Sequence, residues 1–365
     1  MATSKKLVTR TSLVSGIRQW LSLYVLLYGC LFAMPAHGLN IRGYVPARHD
    51  RFSSGYPGSP VVNTNFHADF YDFSGVGWHS LYPYLSYTLI SPSHFVGANH
   101  VNPGIGATLT FHARDGALRS FTVANQYNMT NAAGENTDLV VGELSQPVAP
   151  CDNITFYPIL DLESETDYIG RGLLVYGATA RVGKGTISAF QDFGGDPITG
   201  GAGVNSTRAY NFVYVNAVGS QDDCHAEGGD SGSPSFVAMD GELFVVGVHT
   251  AVLTTGLAVT TFDSFVPHYL DQIDGILQQQ GYQTATSARE VFRLCYQLTP
   301  VTSDIYQLSW TGHRGRVYQL EAATNLQNFG PISGLLTAKV AAVTYIDSNS
   351  VDRVKFYRVR RIDSP

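Results

Sequence analysis

Three glycines surround Ser231 in the stretch Glu227-Gly228-Gly229-Asp230-Ser231-Gly232-Ser233-Pro234. Glycine lets the backbone take a positive φ and approach a bound group closely. A loop of this kind can direct the amides of Gly229 and Ser231 towards one point beside the Ser231 hydroxyl, where they would stabilise an oxyanion. A plain surface turn is the alternative, because Gly, Asp, Ser and Pro all favour turns. The choice depends on whether the chain also supplies a base and an acid that orients the base.

The composition is that of a folded chain rich in strands. Of the 365 residues, 44% are hydrophobic and only 14% charged, so a long disordered tail is not expected. The 21 Tyr, 19 Phe and 37 Gly residues suit strands joined by tight turns. The formal net charge is −6 and there is no long basic run, so nucleic-acid binding is not expected.

Residues 1–38 are typical of an export signal. Lys5, Lys6, Arg10 and Arg18 precede an apolar run from Trp20 to Met34, which is short for a membrane span. Ala36-His37-Gly38 then places small residues at the −3 and −1 positions of a cleavage site. We therefore expect a mature chain that begins near residue 39 and is secreted or located in the periplasm or cell envelope.

The mature chain would keep three cysteines, Cys151, Cys224 and Cys295, and would lose Cys30 with the signal. Three cysteines cannot all pair within one chain, so one disulfide and one free thiol is the expectation in an oxidising compartment, with the pairing left open. Their scattered spacing does not resemble a zinc site, and we expect no metal and no cofactor.

Short alternating segments with turn signals between them predict an all-β sandwich or barrel over most of the chain. Predicted strands include Ser86–Ile90, Asp138–Leu144, Gly172–Tyr176, Gly185–Ala189 and Leu243–Val248. Apolar residues at helical spacing from Phe265 to Leu277 predict one helix that closes this region. We place a first domain at 39–283, a polar linker at 284–296 and a small β-sandwich module, similar to fibronectin type III, at 297–365.

A serine hydroxyl is a weak nucleophile until a base takes its proton, and the base needs a third group that holds its tautomer. His100 ends an apolar strand, and Asp138 opens another one after a polar loop. Taken singly, His100 is more often a hydrogen-bonded core residue and Asp138 a charge at a strand edge. In the order His100, Asp138, Ser231 they match a base, an orienting acid and a nucleophile. An esterase-type elbow fits less well, because Ser233 stands where that motif needs glycine.

Three segments together resemble the chymotrypsin-like and trypsin-like serine proteases. Thr88–Val101 is similar to the histidine segment of that family, Asn136–Leu139 to its aspartate segment, and Gly229–Pro234 to its nucleophile loop. The resemblance covers roughly residues 40–282 and implies two β-barrels with the site between them and a closing C-terminal helix. It implies that His100 is general base and then acid, Asp138 its orienting acid and Ser231 the nucleophile. Gly229 and Ser231 would supply the amides of the oxyanion hole.

The chain departs from the family pattern in three respects. Asn99 precedes the histidine where alanine is usual, and no cysteine flanks His100. The start Ile41-Arg42-Gly43 resembles the family's activated N-terminus only loosely, so we expect Asp230 to bond within its own loop instead.

Val245–Thr250 resembles the family strand that lines the specificity pocket. Its Gly-Val-His order is similar to glutamyl endopeptidases, in which that histidine contacts an acidic or amide P1 side chain. This implies pocket roles for His249 and Thr250, with His225, six residues before Ser231, as a further contact. An imidazole binds a carboxylate better when it is protonated. The hypothesis is a preference for Glu or Gln at P1; the alternative is that His249 is only a polar residue at a strand end.

These observations predict an exported serine endopeptidase that acts on protein or peptide substrates. The C-terminal module resembles β-sandwiches appended to exported bacterial proteins, and attachment to the cell surface, substrate binding or stabilisation are all open for it. One rival is an inactive protease-like binding protein that acts through this module, and another is an esterase on the same scaffold.

Overall fold

The structure is a computed structural model that describes residues 38–194, 206–216, 218–239 and 241–287, which cover most of the first domain and the start of the predicted linker. In the C-terminal module it describes residues 297–302, 305–311, 317–325, 328–337, 342–348 and 355–362. The predicted signal segment up to residue 37, most of the predicted linker and Cys295 therefore lie outside the described residues. Among the described residues, no helix has the length and apolar character needed to cross a membrane.

The described N-terminal segment, residues 38–75, contains only short elements. They are β1 (Asn40–Ile41), the helix α1 (Pro46–His49), β2 (Phe52–Ser54) and β3 (Val61–Val62). β2 and β3 pair with each other in a two-stranded sheet. This segment is the loop-rich start that its Gly, Pro, Ser and Asn content predicts.

Six strands follow and close into a barrel. They are β4 (Val76–His79), β5 (Ser86–Leu89), β6 (His94–Ala98), β7 (Thr108–His112), β8 (Leu118–Thr130) and β9 (Asn136–Leu144). The hydrogen-bonded order is β4-β5-β6-β9-β8-β7, and the ends of this series join. Aromatic side chains from opposite walls, among them Tyr87, Phe95 and Phe111, fill the interior. Closure leaves no unpaired strand edge in this unit.

The second unit is a curled, open sheet of seven strands. Its elements are β10 (Gly172–Gly177), β11 (Arg181–Thr186), β12 (Ala189–Phe193), β13 (Thr207–Val215), β14 (Cys224–His225), β15 (Pro234–Met239), β16 (Glu242–Thr255) and β17 (Ala258–Phe265). The order is β11-β10-β15-β16-β17-β13-β12, and β14 pairs with β1 outside this sheet. The predicted all-β fold is confirmed, with a half-barrel where a second closed barrel was expected.

The predicted closing helix is also confirmed. A 3₁₀ turn at Val266–Tyr269 leads into α2 (Leu270–Gln278), which buries Ile273 and Leu277 in the core shared with the barrel. Four further 3₁₀ turns occur at Asn99–Val101, Pro150–Asp152, Glu165–Asp167 and Ala178–Ala180. The helix begins later than its periodicity predicts, because Phe265 is the last residue of β17.

Strand β17 was missed in the sequence, and the reason is physical. Its buried positions include Thr261, Asp263 and Ser264, so the alternation of apolar and polar residues that marks a strand is absent. The strand predicted at Gly185–Ala189 is wrong in its middle, since β11 ends at Thr186 and β12 begins at Ala189.

The C-terminal module consists of two sheets around one small core. Its strands are β18 (Gln297–Thr302), β19 (Ile305–Thr311), β20 (Val317–Ala323), β21 (Gly330–Pro331), β22 (Leu336–Thr337), β23 (Ala342–Asp347) and β24 (Phe356–Ile362). One sheet has the order β18-β19-β23, while β20 pairs with β21, β22 and β24. Trp310 and Tyr318 are buried together in the core between the sheets. The aromatic residues at these positions pack internally.

Cys151 is exposed and Cys224 is buried, and both are free thiols. A disulfide between these two residues is therefore excluded. Cys295 lies outside the described residues.

Glycine 142 is required by the barrel packing and provides a test of it. It lies opposite Phe95 in the pairing of β9 with β6, and a Cβ there would lie 2.0 Å from the Phe95 Cζ. We expect Gly142→Ala to lower the free energy of unfolding by about 1–3 kcal/mol, because the aromatic ring must shift in a packed interior. Gly172→Ala is the matched control, since a Cβ on that exposed strand residue meets nothing within 4 Å. Equal denaturant midpoints for the two variants would contradict this account.

Candidate active site

His100 lies in the 3₁₀ turn directly after β6, and Asp138 lies near the start of β9. The His100 Nδ1 is 2.8 Å from Oδ2 and 3.0 Å from Oδ1 of Asp138, and the His100 backbone N–H donates to Oδ1 at 2.9 Å. A carboxylate only accepts hydrogen bonds, so this contact requires a proton on Nδ1. Nε2 is then the ring nitrogen left to take a proton from another group.

The Asp138 carboxylate is held from the second unit as well. The Thr250 hydroxyl in β16 donates to its Oδ2, and the Asp138 backbone N–H donates to the Thr207 hydroxyl at 2.8 Å. Thr250 was expected in the specificity pocket, and its hydroxyl instead contacts the acid of the site. Thr207 was missed, and no motif in the sequence marks it.

The glycine-rich loop is a tight turn with two left-handed glycines, Gly229 at φ +104° and Gly232 at φ +83°. The Ser233 N–H donates to the Asp230 carbonyl at 3.0 Å, and the Gly232 N–H donates to the His249 carbonyl at 3.1 Å. Among the described residues, no backbone carbonyl accepts from the amides of Gly229 and Ser231. The two amides are thus available at the half-buried loop.

This loop lies against the turn that carries His100. A Cβ on Gly232 would lie 3.5 Å from the Val101 Cγ2, 3.6 Å from the Ala98 N and 2.9 Å from the Ser86 carbonyl oxygen. Ala98 precedes this turn and Val101 ends it, so the two residues lie on either side of His100 in the chain. The fold therefore brings His100, Asp138 and the Ser231 loop to one place, where the closed barrel meets the open sheet.

Asp230 is fully buried behind Ser231, and its two carboxylate oxygens accept separate backbone N–H groups. Oδ2 accepts from Glu227 at 2.7 Å, within the loop as expected, and Oδ1 accepts from Ala178 at 2.7 Å. Burial raises the pKa of Asp230 to about 6, although both amide contacts favour the charged form. The loop is therefore tied to the turn after β10 through a charge-bearing side chain in the core.

His249 is buried with both of its ring nitrogens in use. Nδ1 is 2.6 Å from Asp263 Oδ1 and Nε2 is 2.9 Å from the Tyr176 carbonyl. Both neighbours only accept, so both nitrogens must carry protons and the ring is an imidazolium. Burial lowers the pKa of His249, but the contacts with Asp263, the charge of Asp230 and the hydrogen bond to Tyr176 together outweigh burial, and the net shift is upward. This geometry leaves His249 no donor for a substrate carboxylate.

His225 has a different environment, although it too is largely buried. Its Nδ1 is 3.0 Å from the Ala226 carbonyl, and its ring contacts that of Tyr214 with centroids 4.9 Å apart. No partner for Nε2 is found in the part of the chain that the structure describes. Of the two histidines predicted for the specificity pocket, His225 is the one with a nitrogen still available.

Comparison with known proteins agrees with this arrangement. The family model described as Trypsin matches residues 86–273, more than half of the chain. The matched range includes His100, Asp138 and Ser231. The chain therefore belongs to the trypsin family and carries a trypsin-like serine protease domain, for which peptides or proteins are the substrates. A search of curated proteins finds no match.

The buried Asp230 predicts a pH dependence of stability. Because its pKa is raised in the folded state, the folded chain binds more protons than the unfolded chain between about pH 4 and pH 6, and its stability falls as the pH rises through that range. Asp230→Asn removes this contribution. The wild type and Asp230→Asn can be compared by their free energies of unfolding in denaturant. We expect the value for wild type minus the value for Asp230→Asn to decrease from pH 4 to pH 7. A difference that stays constant, or increases, would contradict the shift.

Proposed function

We propose that this protein is a serine endopeptidase that cuts peptide bonds through an acyl-enzyme intermediate. The proposal rests on one observation above all, the His100–Asp138 pair in a turn that lies against the Ser231 loop. In the proposed reaction, the Ser231 Oγ attacks the scissile carbonyl carbon while His100 Nε2 takes the hydroxyl proton. Asp138 keeps the ring in the tautomer that leaves Nε2 free and stabilises the imidazolium that forms.

The amides of Gly229 and Ser231 would hold the oxyanion of the tetrahedral intermediate, since no backbone carbonyl of the described residues accepts from them. As the C–N bond breaks, His100 returns its proton to the leaving amine. Water then attacks the ester, again with His100 as base, and the acyl product leaves. Every proton in this sequence passes through the Nε2 of His100.

The first test is covalent labelling of the purified mature chain by a fluorophosphonate, which reacts with a serine only when a base has activated it. We expect wild type to be labelled, Ser231→Ala to be unlabelled, and Asp138→Asn to be labelled about 10⁴-fold more slowly because the tautomer is lost. Ser233→Ala is the control, because this serine lies two residues further on in the same loop and is fully buried, and it should be labelled like wild type. Equal labelling of Ser231→Ala and wild type would overturn the assignment.

We further propose that the protease prefers Glu or Gln at P1 and that His225 is the residue that binds the P1 side chain. A neutral His225 that donates from Nδ1 to Ala226 presents Nε2 as an acceptor, which suits the amide of Gln. A protonated ring presents Nε2–H as a donor, which suits the carboxylate of Glu. His249 would contribute through its ion pair with Asp263, and not by touching the substrate.

The two histidines can be separated by kinetics on peptides that differ only at P1. We expect His225→Ala to lower kcat/KM for Gln or Glu at P1 by about 10- to 100-fold relative to Leu, the cost of about one to two unmade hydrogen bonds. We expect His249→Gln to lower kcat/KM for all P1 residues alike. A cleavage profile dominated by Arg, Lys or Phe would refute the preference.

Export is part of the proposal as well. It is supported by the basic, apolar and small-residue order of residues 1–38 in the sequence. We propose that the chain acts after removal of this segment, in the periplasm or outside the cell. The C-terminal module is proposed to attach the protease to a surface or to its substrate.

A further inference from the structure

Four large apolar side chains are exposed on two neighbouring loops beside the candidate active site. Leu81 is 78% exposed, Tyr82 50% and Tyr84 37% on the loop between β4 and β5, and Ile105 is 70% exposed on the loop after His100. We name these four residues the apolar platform. Single exposed apolar residues are common, but a group of them marks a surface that binds something.

The two loops are tied together by His79. Its Nδ1 accepts the Leu81 N–H at 3.0 Å, and its side chain is also hydrogen-bonded to the Pro103 backbone two residues before Ile105. The Ser80 N–H donates to the Thr108 carbonyl at 2.9 Å, which adds a second link. Burial lowers the pKa of His79 and so favours the neutral ring that can accept at Nδ1.

The loop that carries the tyrosines is already ordered. The Leu85 N–H donates to the Tyr82 carbonyl at 2.9 Å, the His79 N–H donates to the Leu85 carbonyl at 3.0 Å, and the Tyr56 hydroxyl donates to the Pro83 carbonyl. The rings of Tyr82 and Tyr84 lie with centroids 6.2 Å apart. An ordered apolar surface loses little conformational entropy when a ligand binds.

The platform adjoins the reacting groups on the side of His100. The Ser86 carbonyl, two residues after Tyr84, lies against Gly232, and the Tyr87 hydroxyl donates to the Val101 carbonyl at 2.7 Å. In peptide cleavage, His100 delivers its proton to the leaving amine, so the leaving segment must begin next to His100. The acyl segment is bonded to Ser231 and is held on the other side, where His225 and β16 lie.

We propose that the apolar platform binds the first two residues after the scissile bond and that this protease prefers large apolar side chains there. The inference rests on the proposed peptidase function and deepens it. The occupant is the leaving segment of the substrate. The platform carries no charged side chain, so apolar contact and not ion pairing selects that segment.

Acyl transfer tests this proposal independently of P1. An ester substrate forms the acyl-enzyme, and amino acid amides then compete with water for the acyl group. We expect leucinamide and phenylalaninamide to be acylated about 10-fold or more faster than glycinamide, as burial of one large apolar side chain implies. In the double variant Leu81→Ser with Ile105→Ser, this ratio should fall to about 2 to 3. Leu335→Ser, an equally exposed leucine in the C-terminal module, is the matched control and should keep the ratio of wild type.

A second measurement does not need activity. Ser231→Ala keeps the platform, and its binding of leucyl-leucinamide and glycyl-glycinamide can be compared by NMR titration. We expect only the leucyl compound to bind, with shifts in Leu81 and Ile105 that the double variant abolishes. An absence of ester hydrolysis in wild type, with this binding intact, would refute the peptidase function and leave the platform as a peptide-binding surface.

Three results would contradict the proposal that the apolar platform binds the leaving segment. The first is ester hydrolysis with no preference among the amides, and the second is a preference that survives in the double variant. The third is a wild-type dimer, seen in sedimentation, that the double variant dissociates, because the platform would then be an interface between two copies of this chain.

Discussion

The buried carboxylate of Asp138 is the group on which the arrangement of the protease domain depends. An unpaired charge in a protein interior costs several kcal/mol, so the carboxylate must be surrounded by donors. The donors come from two different units: the ring and amide of His100 from the closed barrel, and the hydroxyl of Thr250 from the open sheet. Neither unit alone satisfies Asp138. The docking of the two units and the assembly of the site are therefore one event.

A second buried carboxylate, Asp230, shapes the loop that carries the serine. Its hydrogen bonds with the N–H groups of Ala178 and Glu227 hold the loop against the end of β10. The packing is tight at that point. A Cβ on Gly177 would lie 2.5 Å from both the Asp230 Oδ1 and the Leu39 Cγ. The raised pKa of Asp230 means that the ionised side chain costs stability when the chain folds. Stability is thus given up where the loop needs a defined shape, a common feature of functional sites.

The N-terminal segment extends this support to the residues before the loop. β1 pairs with β14, and Arg42 donates to the carbonyls of Val215, Asn216 and Val218. Arg48, His49 and Lys184 all contact the buried carboxylate of Asp222, and the hydrogen bond from Arg48 is the largest cause that lowers its pKa. Three charged or polar groups thus converge on one acid next to β14. The segment that includes His225 is held from outside the sheet.

His225 and His249 show that a sequence pattern does not determine which histidine can contact a substrate. In the sequence, His249 has the stronger claim to the specificity pocket, because it lies in a strand whose order resembles a known type of protease. In the folded chain it faces Asp263 in strand β17. This strand was not predicted, because its buried positions include polar residues. A sequence does not state which acid lies opposite which base when the two residues are 14 positions apart on two different strands.

The sequence by itself determined the all-β class, the closing helix and the residues proposed for the reaction, because these depend on local signals. Glycines at fixed spacing around Ser231, an apolar strand before His100 and helical periodicity after Phe265 can all be read over a few residues. The tertiary structure alone decided that Thr207 and Thr250 hold Asp138, that Ala178 holds Asp230, and that His249 is an internal cation while His225 keeps a free nitrogen. Those facts depend on contacts between distant segments, and a hydrogen bond is set by the distance between two atoms in space, which the spacing of residues along the chain does not determine.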